Sequence, residues 1–145
     1  MLSVKIKPMS QYFKMPKLGT EEAACFDLYY CDEERSLSPG EIHLFSLGFS
    51  VEFDKGWELL LRPRSGLAFK QGCTLLNSPA VIDSDYRGVV HALLINHSDE
   101  EVVFSPGMRI CQGCFKPVHE FEFKLTEELG NTERGQGGFG STGTH

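Results

Sequence analysis

Apolar and polar positions along this chain follow mainly a period of two. "LSVKIK" (2–7) alternates cleanly. "EIHLFSLGFSVEF" (41–53), "WELLLR" (57–62), "VVHALLIN" (89–96), "EEVVF" (100–104), "MRICQGCF" (108–115) and "FEFKL" (121–125) are short runs rich in aliphatic and aromatic residues. Each predicts a strand. Turn signals separate them: "SPGE" (38–41), "DKGW" (54–57), "NHSDE" (96–100) and "SPGM" (105–108). Strands and turns at this regular spacing predict a sandwich or barrel. Helical periodicity is scarce; "SGLAFKQG" (65–72) has room for one or two helical turns. There are no repeats. One composition shift occurs, near Gly130. Beyond Arg134, glycine stands at 135, 137, 138, 140 and 143, and Phe139 is the only large apolar residue. Such a run has nothing to bury and loses much conformational freedom if ordered.

A chain of 145 residues suits one domain with its own core. The net charge of -6 argues against a nucleic-acid-binding surface. No apolar run approaches the ~18 residues of a membrane helix, and "MLSVKIKPMS" lacks the apolar core of a signal peptide. The five cysteines (25, 31, 73, 111, 114) are odd in number and scattered, as expected for reduced thiols in a cytoplasmic protein. Cys111 and Cys114 form a single CxxC on a predicted strand. A zinc site needs four ligands, so structural cysteines are the simpler reading.

Two polar clusters carry candidate chemistry. "VIDSDYRG" (81–88) places two acids, a tyrosine and an arginine just after an apolar pair. A hairpin turn uses the same residue types. Equally, Asp83 at a strand edge could orient and deprotonate a water. "RPRSGLAFK" (62–70) offers two arginines, a serine and a glycine at a strand end. Guanidinium forks match phosphate oxygens, and the first N–H groups of a helical turn add donors. The alternative is a solvated loop. Arg109 and Gln112 lie three apart, so a regular strand would aim at most one of them at a ligand. The glycine-rich run after Arg134 could wrap an anion.

Five segments in order, "AACFDLYY" (23–30), "PRSGLAFK" (63–70), "NSPAVIDSDYRG" (77–88), "GMRICQ" (107–112) and "RGQGGFGSTG" (134–143), resemble the motifs of the homotrimeric dUTPases. The resemblance implies an all-β, jelly-roll-like barrel over residues 1–129 and a flexible Gly-rich lid over residues 130–145. It implies hydrolysis of dUTP to dUMP and pyrophosphate with Mg²⁺, which keeps uracil out of DNA and supplies dUMP for thymidylate synthesis. Asp83 matches the general base that activates the attacking water. Arg64, Ser65, Gly66 and Gln112 match phosphate ligands. Asp27 matches the aspartate that holds Mg²⁺ through water. Asn77, Val81, Ile82 and His91 match the uracil pocket, where backbone groups read the base, and Tyr86 would pack on the deoxyribose. Arg134 would meet the γ-phosphate, Phe139 would stack on uracil, and Gly140, Ser141 and Thr142 would close over the phosphates. Each site would draw on three chains: one for the first, second and fourth motifs, another for the third, the last for the tail.

The chain departs from the pattern at Cys25 and Ala80, where the family often has glycine, and His91 stands at a variable position. A dCTP deaminase shares the implied fold but lacks the arginine–phenylalanine tail. A binding protein responsive to dUTP is the alternative from another class.

Overall fold

Period-two patterning becomes strand wherever a second strand is available to pair with it. The computed structural model describes residues 1–138. In chain order the elements are β1 (Val4–Pro8), β2 (Lys17–Leu18), β3 (Phe26–Tyr29), β4 (Arg35–Leu37), β5 (Ile42–Ser46), β6 (Phe49–Phe53), β7 (Trp57–Arg62), α1 (Ser65–Gln71), β8 (Cys73–Leu75), β9 (Ala80–Ile82), β10 (His91–Asn96), β11 (Val102–Phe104) and β12 (Arg109–Pro117). A five-stranded sheet runs β2-β3-β12-β7-β9, a three-stranded one β5-β10-β8, and β1-β6 and β4-β11 form pairs. Every ladder is antiparallel. The result is the all-β, jelly-roll-like barrel expected. Among the described residues no helix is long and apolar enough to cross a membrane.

Alternation sorts side chains between core and surface. In β10 half-buried and buried positions alternate without a break, as the pleat requires. Phe45 and Phe104 meet at the centre with ring centroids 4.6 Å apart, and Tyr30 packs edge-on to Phe45 at 5.1 Å. Among the described residues one polar side chain is fully buried. Asn96, at the end of β10, donates Nδ2–H to the Leu37 and Glu100 carbonyls at 2.9 and 2.8 Å. Its Oδ1 accepts from the Ser98 N–H and hydroxyl at 2.9 and 2.7 Å. The side chain thus ties the 97–100 turn to β4, with its polar groups paired as burial demands.

Helix α1 fills the "SGLAFKQG" run. It stops at Gly72, whose φ of 64° is left-handed and whose N–H bonds the Ala68 carbonyl. A Cβ there would lie 2.9 Å from Ser98 Cβ, so both backbone and space favour glycine.

"FEFKL" is not a strand. Beyond Pro117 the described chain contains no helix or strand. Phe121, Phe123, Leu125 and Leu129 are exposed at 74%, 93%, 105% and 87%. The alternation is strand-like, but no edge of this single chain pairs with it, and an unpaired strand gains too little to persist.

Candidate active site

Three strands converge on the first cluster. Gln112 in β12 faces Asp27 in β3 on one side and Arg62 in β7 on the other. Pro63 cannot extend the β7 ladder, having no N–H, and the chain turns there into α1. Arg64, at the N-cap of α1, is thereby held beside Asp27. Its Nε donates to Asp27 Oδ1 at 2.9 Å and its Nη1 to the Arg109 carbonyl at 3.1 Å. Arg109 Nη1 donates to Asp27 Oδ2 at 3.1 Å. Gln112 Nε2 donates to the Pro63 carbonyl at 2.9 Å. Asp27 and Arg64 side chains are only 19% and 24% exposed, so this pair is screened less than a surface ion pair. Ser65 and Gly66 open α1, where first-turn N–H groups have no carbonyl within the helix to bind. Arg64, Gly66 and Arg109 line a hollow of about 300 Å³.

Arg109 joins Gln112 in this cluster, against the expectation that only one of them would. The register shifts between Arg109 and Cys111. Such a bulge re-aims the side chain beside it. No residue in the sequence marks the bulge, so Arg109 was legible only as an alternative to Gln112.

The second cluster is the turn that follows β9, on the way to β10 in another sheet. Tyr86 N–H bonds the Asp83 carbonyl at 3.1 Å, closing the turn. Arg87 Nη1 donates to the Ser84 and Tyr86 carbonyls at 2.7 and 2.9 Å. The Tyr86 hydroxyl donates to the Val89 carbonyl at 3.0 Å, which also accepts His91 Nδ1–H at 2.8 Å. Gly88 lies under the Tyr86 ring: a Cβ there would sit 2.3 Å from the phenol oxygen. Asn77 and Val81 are exposed, Ile82 is half-buried and Ala80 is buried. Asp83 is exposed, and its carboxylate has no hydrogen bond or ion pair among the described residues. It borders a wide hollow of about 980 Å³ with Ser84, Asp85 and Arg87.

The chain therefore brings Asp27, Arg64, Gln112 and Arg109 together, and Asp83 with Tyr86 separately; no bond links the two groups among the described residues. Arg134 belongs to neither. It is exposed and donates Nε–H to the Gly137 carbonyl at 2.8 Å. Phe139, Gly140, Ser141 and Thr142 lie outside the described residues.

A magnesium ion would find no ready ligand set. Among the described residues no three His, Cys, Asp or Glu side chains cluster to hold a metal. Both Asp27 oxygens already accept from guanidinium groups. The lone pairs left on them suit contact through a bound water, not a resident ion.

Known proteins resemble this chain over nearly its whole length. A family model described as dUTPase matches residues 11–143. The deoxyuridine 5'-triphosphate nucleotidohydrolase of Nautilia profundicola is 49% identical over 142 residues, covering 98% of this chain and 99% of that one. The protein of the same name from a Hydrogenobaculum species is 43% identical with the same coverage. A mutant dUTPase of Staphylococcus bacteriophage 80alpha, solved with dUpNHpp, superposes with a TM-score of 0.89 at 24% identity, covering 97% of this chain and 98% of that one. A mutant dUTPase of phage phi11, solved to show coordination of a structural Mg(II) ion, superposes with a TM-score of 0.81 at 19% identity, covering 89% and 99%. At such identities these two structures speak for the fold alone.

Proposed function

This chain belongs to the dUTPase family, and from that premise we propose that it hydrolyses dUTP to dUMP and pyrophosphate. The observation that carries the reading is the braced Arg64–Asp27–Arg109 cluster at the ends of β3, β7 and β12. A guanidinium held in place before substrate arrives can stabilise phosphate charge without reorganising. Arg64, Ser65, Gly66 and Gln112 take the triphosphate. Mg²⁺ bound with those phosphates would offset their charge, and Asp27 would hold it through water.

Asp83 serves as the base. A water gives its proton to the carboxylate as its oxygen attacks the α-phosphorus. The bond from that phosphorus to the bridging oxygen breaks, and pyrophosphate leaves. An unpaired, solvated carboxylate suits this role, because it is free to accept the proton. Backbone groups at Asn77, Val81, Ile82 and His91 hold uracil. The His91 imidazole is tied to Val89, which supports recognition by backbone there. Tyr86 fills the space a 2'-hydroxyl would need. Arg134, Phe139, Gly140, Ser141 and Thr142 act as the lid, within a tail spanning residues 130–145.

We further read the separation of Asp83 from the arginine cluster as a site divided between chains of a homotrimer. The exposed Phe121, Phe123, Leu125 and Leu129 support assembly, since large apolar side chains in one segment signal a partner surface. A nucleotide substrate and five free thiols suit a cytoplasmic enzyme.

The test supplies each nucleoside triphosphate with Mg²⁺ and measures pyrophosphate. dUTP should react far faster than UTP, dTTP or dCTP; ammonia released from dCTP would instead mark a deaminase. Division of the site is tested by co-refolding Asp83→Asn with a chain stopped at Glu133. Each variant alone should be inactive. Under closed three-fold symmetry and random mixing, about a quarter of sites should recover. Background activity in confirmed mixed trimers would overturn the shared site.

A further inference from the structure

Two thiols stand face to face beside the arginine cluster. In the β3–β12 ladder Asp27 faces Gln112 and Phe26 faces Gly113. Continued one residue beyond the start of β3, that register sets Cys25 opposite Cys114. Opposed residues of antiparallel strands project to one face, with Cβ atoms ~4.5–5.5 Å apart. Burial first, and then the neighbouring Cys114 thiol, push the Cys25 thiol up from its ordinary value, which agrees with sulfur atoms side by side. Both are free; Cys25 is half-buried and Cys114 only 5% exposed. The CxxC cannot close on itself. Cys111 and Cys114 lie on opposite faces of a regular strand, and Cys111 is wholly within the core.

We propose that Cys25 and Cys114 form a reversible disulfide switch, closed by a hydroperoxide and opened by thiol reductants. With hydrogen peroxide as the hydroperoxide, the more accessible Cys25 gives up its proton and its sulfur attacks one peroxide oxygen; the O–O bond breaks, the departing hydroxide takes up that proton as water, and a sulfenic acid remains. Cys114 then attacks that sulfur, the S–O bond breaks, the S–S bond forms, and a second water leaves. Two thiols are oxidised by two electrons and the hydroperoxide is reduced.

Closure acts on the next pair along the same face. A disulfide holds its Cβ atoms ~3.8 Å apart, so β3 and β12 draw together by about 1 Å at Cys25 and Cys114. Asp27 and Gln112 stand two rungs away, beyond Phe26 and Gly113, and so share that face; Asp27 orients both arginines. A displacement of about 1 Å in a binding group costs up to ~10²-fold in rate. The rate effect rests on the dUTP-hydrolysis reading; the bridge does not.

The experiment treats the full chain with hydrogen peroxide, then measures thiol count, linked peptides and dUTP hydrolysis, before and after dithiothreitol. The five thiols should lose one pair, a Cys25–Cys114 linked peptide should appear, and hydrolysis should fall by about tenfold or more and recover on reduction. Cys25→Ser and Cys25→Ala should keep the untreated rate and ignore peroxide. Five thiols surviving treatment, a bridge between another pair, a bridge with no change in rate, or equal loss of rate in Cys25→Ser would each overturn the switch. Untreated protein that fails to hydrolyse dUTP would overturn the functional reading, while the linked peptide still decides the bridge.

Discussion

The arginine cluster and the Asp83 turn meet the same five-stranded sheet, yet they handle charge in opposite ways. At the cluster both Asp27 oxygens are bonded, the aspartate is largely buried, and two cations share it. At the turn the Asp83 carboxylate is exposed and unpaired among the described residues. The bonds of the turn run instead from the Tyr86 hydroxyl and the Arg87 guanidinium to backbone carbonyls. A group that binds phosphate gains from being fixed in advance, because nothing is then spent on reorganisation. A group that takes a proton gains from having its oxygens free. Bracing and availability are therefore divided between the two regions.

Substitutions in each region test that division. Asp83→Asn should lower kcat by about 10²–10⁴-fold while a non-hydrolysable dUTP analogue still binds. A rate near that of the native chain would move the base to another group and remove the contrast. Asp27→Asn should come next. It takes one charge from a partly buried network, worth about 1.5–3 kcal/mol for a charge-assisted bond, or roughly 10–150-fold. Steady-state kinetics should show the loss in kcat/KM, with KM raised; a change confined to kcat would say that Asp27 takes part in the chemistry. Tyr86→Phe should have the smallest effect. It removes one hydroxyl bond, worth about 0.5–1.5 kcal/mol, and keeps the ring. Discrimination between dUTP and UTP should survive; its loss would assign that selectivity to the hydroxyl.

Much of the barrel was legible because strand patterning is local. "WELLLR" and "VVHALLIN" became β7 and β10 almost residue for residue. "SGLAFKQG" became α1 for a similar reason: its glycine cap lies within the same short run. "FEFKL" misled because alternation reports a face to bury, not the presence of an edge to pair with. The candidate site was legible only in pieces. Asp83 and Tyr86 sit three apart, and their turn chemistry is visible in one motif. The bonds of Asp27 reach across 37 residues to Arg64 and 82 to Arg109, and no local period records such distances. The bulge beside Arg109, which reaches Asp27, depends on the register between β12 and β3, which exists only once both strands have paired.

The contact between Gly88 and Tyr86 bears on how this turn can evolve. A methyl group at 88 would overlap the phenol oxygen at 2.3 Å, so the two positions are not free to drift separately. Substitution of Gly88 in the presence of tyrosine forces the ring off the turn; loss of the ring first makes room at 88. A lineage that exchanges the glycine while keeping tyrosine therefore gives up the Tyr86 bond to the Val89 carbonyl. Homologues should show the two sites covarying, with bulky residues at 88 found only beside small ones at 86.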